Sequence, residues 1–175
     1  MQNHEYSATL AAIGIIASAL GAPDFHRVNK LLYFADKLHL KQYGRSIIRD
    51  FYVAMDYGPV ASGAYDLLKN GRRDPNNQIT SPWLRFPAGD SRNPTVEAAQ
   101  APDLDQLSDS DIECLQEVIN TYGQLSFLEL TEISHDSAWH SARLRLKNSP
   151  MLLEEIVATL PNAPTVLAHL RNPHP

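Results

Sequence analysis

The chemistry-bearing side chains that stand closest together are His135, Asp136 and His140. Two imidazoles and a carboxylate at that spacing suggest a divalent metal, but such a site wants three or four converging ligands with second-shell support. A fourth ligand is not evident, so local hydrogen bonding at a helix end is the simpler reading of His135. His39 has the identity of a general base, yet it stands among apolar positions at helical spacing. An unpaired buried imidazole costs about 1–3 kcal/mol, so a structural hydrogen bond to a backbone group or to the Tyr57 hydroxyl is expected. The single Cys114 lies beside Asp111, Glu113 and Glu117, which raise a thiol's pKa and oppose a nucleophilic role. Gly58-Pro59-Val60 has too few glycines to cradle a phosphate. No phosphate loop, dinucleotide fingerprint, G-x-S-x-G elbow or H-E-x-x-H pattern occurs. The residues therefore point away from an enzyme, with no catalytic residue, no metal and no cofactor.

The elements that would position these groups follow from periodicity and punctuation. Ser7 reads as the cap of a first helix, with Leu10, Ile13, Ala17 and Leu20 at helical spacing before Gly21. Pro23 opens a second, whose apolar stripe is Phe25, Val28, Leu31, Leu32, Ala35 and Leu38, with His39 inside it. Lys30, Lys37 and Lys41 fall on the opposite side, Tyr33 points toward them, and Gly44 closes the helix. Residues 50–56 form a strand, and Tyr57-Gly58-Pro59-Val60 reads as a turn that starts a helix, with Val60, Ala64, Leu67 and Leu68 inward, ending at Asn70-Gly71. Trp83–Phe86 and Thr95–Ala99 read as short strands confined to edges by Pro82, Pro87 and Pro94.

The last third reads as helical. Ser108 caps a helix ended by Gly123, and Ser126 with Glu129 forms a capping box. Ser137 begins a short helix to Leu146, Ser149-Pro150 starts another, and Asn162-Ala163-Pro164 opens a last one ending near Leu170. The fold class expected is α+β, predominantly helical, with six to eight helices and a small two- or three-stranded antiparallel sheet, as one domain over residues 1–175.

Composition narrows the function classes. Of 175 residues, 43% are hydrophobic and 20% charged, which is ordinary for a globular chain. The apolar run Leu10–Leu20 lacks the basic n-region of a signal peptide and is too short to span a bilayer, so a cytoplasmic protein without membrane contact is expected. Lone Cys114 fits a reducing compartment. Charge is divided unevenly along the chain. Residues 27–92 hold eleven Lys/Arg against six Asp/Glu, whereas residues 93–142 hold ten acids and no Lys or Arg. The second segment repels nucleic acid and would steer a basic partner, or it is a solvated face that keeps the chain soluble. A winged-helix reading fares poorly, because the helix after Pro59 carries only Lys69 near its end, and nucleic acid is not expected as a partner.

Trp83 and Phe86, with Arg72, Arg73 and Arg85 near them, have the composition of a protein interface. Covering the inner face of the sheet is an equal alternative. The stretch Lys30-Leu31-Leu32-Tyr33-Phe34-Ala35, His39, Tyr43-Gly44, Ala54, Tyr57-Gly58-Pro59-Val60 and Tyr65, followed by Leu125-Ser126, Ser134-His135 and Trp139, resembles the Panacea (SocA-like) antitoxin domain. Met55 stands where that family usually has Trp, and Ser62 where it has a second Pro. The resemblance covers about residues 23–147. It implies an antitoxin that binds a cognate protein toxin without turnover, with Lys30, Leu31, Leu32, Tyr33, His39, Gly44, Tyr57, Gly58, Pro59, Val60, Tyr65, His135 and Trp139 as scaffold motif. Tyr33, Tyr57, Trp83, Phe86, Arg72 and Arg73 are the expected partner-binding residues. Two alternatives remain: a proteolytic adaptor that delivers a bound partner to a protease, and a metal-dependent hydrolase built on His135, Asp136 and His140.

Overall fold

The computed structural model describes residues 6–90 and 92–172. Helix α1 (Ser7–Leu20) leads to α2 (Phe25–Tyr43), the axis of the fold. α1 begins at Ser7 itself, with Tyr6 before it, so Ser7 is inside the helix rather than capping it. Asp24 supplies the cap of α2, accepting a hydrogen bond from Arg27 N at 2.7 Å. Gly44 ends that helix in the left-handed region, φ 72°.

A hairpin follows, β1 (Tyr52–Met55) and β2 (Gly58–Ala61), antiparallel with Ala54 opposite Pro59 and Met55 opposite Gly58. Then come α3 (Ser62–Arg73), the two-residue strands β3 (Leu84–Arg85) and β4 (Glu97–Ala98), and the helices α4 (Asp109–Tyr122), α5 (Phe127–Ser134), α6 (Ser137–Arg145), α7 (Leu153–Ala158) and α8 (Ala163–Arg171). The described residues thus form eight α-helices and two separate two-stranded antiparallel sheets. This is the predominantly helical α+β class expected, with the strands split between two sheets.

α1, α3, α4, α5, α7, α8 and β2 all pack on α2. That encirclement explains the main departure from the amphipathic pattern: Lys30 and Tyr33 are buried, at 1% and 0% exposure, although the period assigned both to the outer side. Only the end of that side, at Lys37 and Lys41, reaches solvent. A helix in the middle of a bundle has no polar face to spare, so its cations must find internal acceptors.

The turn after Tyr57 also differs from expectation. Pro59 is not the first residue of a helix but lies inside β2, and α3 begins three residues later. The helix start is capped from elsewhere: the Asp50 carboxylate accepts from Gly63 N at 3.1 Å and Ala64 N at 2.9 Å. α3 runs past Asn70-Gly71 to Arg73; Gly71 is where Phe86 seats, and a β-carbon there would collide with the Phe86 ring. Ser149-Pro150 does not begin a helix either. It lies along β1, with Ala54 N donating to Ser149 O at 2.9 Å and Met151 N to Tyr52 O at 2.8 Å.

The expected capping box at Ser126/Glu129 is present, and the Ser108 cap proves to be a second box with Asp111. Arg27 joins α2 to the α4–α5 turn by donating to Gly123 O at 2.6 Å and Leu125 O at 2.7 Å. No helix among the described residues is long and apolar enough to cross a membrane.

Candidate functional site

The motif residues converge on the β1–β2 hairpin. Lys30 Nζ, rising from α2, donates to Pro59 O at 3.0 Å. Trp139 Nε1, from α6, donates to Met55 O at 2.9 Å. The two sides of the turn are therefore each held by one side chain from a helix. Gly58 between them has φ 105°, and a β-carbon there would collide with Ser134 Oγ and stand 2.7 Å from Lys30 Cε. Glycine at this position is required both by the backbone angle and by the packing of Lys30 beneath the turn.

His135 stacks on Trp139 with ring centroids 3.6 Å apart and planes 7° apart, at the C-terminal end of α5. Asp136 caps α6 through Trp139 N and accepts at Oδ2 from Tyr33 Oη at 2.8 Å and Lys37 Nζ at 2.7 Å. Burial and this neighbouring carboxylate push the Tyr33 hydroxyl above its ordinary range. His140 is exposed. The expected cluster is therefore a scaffold joint: its carboxylate is occupied by helix capping, Tyr33 and Lys37. Among the described residues no group of three His, Cys, Asp or Glu side chains is placed to hold a metal.

His39 is likewise a joint. Its Nδ1 lies 2.8 Å from Arg45 O and its Nε2 3.0 Å from Ser110 Oγ, tying the end of α2 to the start of α4. The Tyr57 hydroxyl is not its partner. Nδ1 donates to the Arg45 carbonyl, and desolvation is the largest influence on the ring, lowering its pKa. Asp111 Oδ1 lies 3.0 Å from His39 Nε2 and 2.9 Å from Arg45 Nη1, so one carboxylate oxygen faces both side chains. Cys114 is buried, and desolvation, with Glu117, Asp111 and Glu113 nearby, pushes its thiol up to about 11.

Beside the hairpin lies a cavity of about 480 Å³. Phe25, His26, Asn29 and Lys30 of α2 form one side and Met55 to Gly58 the turn, with Phe127, Tyr65 and Arg92 also lining it. Tyr57 and Phe127 meet edge to face at 5.3 Å, and His26 stacks on Phe127 at 4.0 Å. Tyr57 is 62% exposed and Phe127 40%, so the rim is an aromatic surface in water. Burial, then Lys30, lowers the His26 pKa to about 4. Lys30 is lowered to about 7 by burial, with Asp24 pulling the other way.

Of the residues expected to meet a partner, Tyr57 alone lies on this rim. Tyr33 is enclosed in the core and does not project outward. Phe86 packs edge-on against Phe25 of α2 at 6.1 Å, and Trp83 is half-buried against the core. Arg73 is exposed and Arg72 half-buried, away from the cavity. Sequence reasoning missed His26, Asn29 and Phe127. The one available signal was Phe127-Leu128, an apolar pair in the first turn of an eight-residue helix too short to bury both.

No curated protein and no solved structure matches this chain significantly. A family model described as antitoxin SocA-like, Panacea domain, matches residues 28–140, which span α2, the hairpin, α5 and the start of α6. The match takes in the residues that hold the hairpin in place, and the chain belongs to the SocA-like Panacea antitoxin domain family.

Proposed function

We propose that this protein is the antitoxin of a toxin–antitoxin pair, and that it neutralises a cognate protein toxin in the cytoplasm by direct stoichiometric binding, without turnover. Family membership supports the class. The observation that carries the mechanism is the rim of Tyr57 and Phe127, large side chains left in water around a formed cavity. Exposed aromatics on a rigid support are the residues from which binding hot spots are built. Trp139 and Lys30 hold the hairpin, so little ordering is needed on contact. His39, Asp136 and Cys114, the groups best suited to chemistry, are all taken up in packing.

The test pairs the purified chain with the product of the adjacent toxic gene. Inhibition that saturates at one antitoxin per toxin, with no protease present, is the expected result. Loss of toxin activity only when a protease is added would assign the adaptor role instead.

A further inference from the structure

We propose that the cavity beside the β1–β2 hairpin receives the carboxyl-terminal residue of a polypeptide, with the terminal carboxylate on Lys30, the last amide N–H on Asn29, and an apolar side chain against Tyr57 and Phe127.

Three features of the cavity ask for those three groups. Lys30 is 1% exposed, and the one acceptor its Nζ reaches among the described residues is Pro59 O. No carboxylate of the described residues lies within ion-pair distance of it. An ammonium carries three donors, so a buried one with a single carbonyl is under-served, and an incoming anion would complete it. Asn29 is equally buried; its Nδ2 donates to Phe25 O at 2.8 Å, but its Oδ1 is without a hydrogen-bond partner. A buried acceptor of that kind wants a donor from the ligand. The remaining wall is largely ring: Phe25, Tyr57, Tyr65 and Phe127. An acyl-linked terminal residue offers an anion, an N–H and a side chain in one unit, and its capture is a known mode of recognition.

The charged and titratable groups around Lys30 agree with an anionic occupant. Asp24, just before α2, is the acid that acts on it, and it is engaged in capping that helix. Asp56 on the hairpin is held by Arg143 at 2.9 Å and by Lys147 at 3.6 Å. His26, and His135 at the end of α5, are both shifted toward neutrality, chiefly by burial. Arg92 also lines the cavity, but its guanidinium is already paired with Asp90 at 3.3 Å. A bound carboxylate would hold Lys30 protonated. Since the free amine titrates near 7, binding takes up a proton and weakens as pH rises above that value.

The occupant is the partner contact of the surface proposed above, so the inference rests on that reading. Its test needs no toxin, however, so the two fail separately. N-acetyl-L-phenylalanine, its carboxamide and free L-phenylalanine are titrated into the purified chain by calorimetry and NMR. A fifteen-atom ligand of ordinary efficiency gives a dissociation constant of about 1 mM. The acid is expected to bind about tenfold or more tightly than either the amide or free phenylalanine, whose ammonium opposes Lys30. The Lys30→Met variant should lose that preference. In the unmodified chain the Lys30 Cε resonance should move with the acid and not with the amide, which keeps the test independent of how the variant folds. Equal affinity for acid and amide, an unmoved Lys30 resonance, or no binding at several times that concentration would overturn the inference. Tighter binding of free phenylalanine would overturn it in favour of an amino acid as ligand.

Discussion

Asp36 lies fully inside the protein, where its Oδ1 accepts from Ile47 N at 2.7 Å and Ile48 N at 3.2 Å, and its Oδ2 from Tyr52 Oη at 2.8 Å. It thereby fixes the start of the hairpin's first strand to α2. Burial raises its pKa from 3.8 to about 7, against the opposing pull of those three hydrogen bonds. The folded state therefore keeps a proton that the unfolded chain releases above about pH 4. Stability from this group is complete below that pH and is lost as pH rises to about 7. A rise of that size corresponds to about 4 kcal/mol in total, of which about 3 kcal/mol falls between about pH 5 and pH 8. Asp36→Asn cannot ionise, its Oδ1 still accepts both amides, and its amide group can donate to Tyr52 Oη. Urea unfolding of both proteins at the two pH values isolates the difference, because every other titrating group cancels. The variant should gain about 3 kcal/mol on wild type from the lower to the higher pH. A difference constant within about 0.5 kcal/mol would refute the reasoning, and would mean that the three donors hold the carboxylate ionised throughout.

Three further outcomes are expected. Gly58→Ala forces an alanine to φ 105° and sets its β-carbon against Ser134 and Lys30; it should lower unfolding stability by about 3 kcal/mol, and a loss below about 1 kcal/mol would contradict the close approach. Tyr57→Ala removes a rim ring that is mostly in water. It should leave the melting temperature within a few degrees of wild type while weakening toxin binding by about 2 kcal/mol, read by surface plasmon resonance. Replacing Asp105, Asp109, Glu113 and Glu117, all exposed, by their amides should slow association with a basic toxin at low salt more than it speeds dissociation; equal association rates would remove the steering role.

Much of the scaffold was legible because its signals are local. The Ser108 cap, the Ser126 box, the glycine closing α2 and the strand at 52–55 each depend on a few neighbouring residues, and each formed where the pattern put it. Pro59 misled because its fixed φ suits an extended strand as well as a first helical turn. Only the distant Asp50, which caps α3 from the far side of the hairpin, selected between them. Ser149-Pro150 failed for the same reason: alongside β1 its backbone finds partners that a helix start would have forgone.

The order of apolar and capping residues by itself determined a helix-rich chain with a tight hairpin after the second helix, and its motifs determined the family. Tertiary structure decided which side chains remain in contact with water. Periodicity treats a helix as having one buried face, whereas α2 is enclosed on several sides, so Tyr33 and Lys30 vanish inward while Tyr57 and Phe127, far apart in sequence, meet at a rim. Burial is set by what packs around a residue, and that depends on contacts across the whole chain.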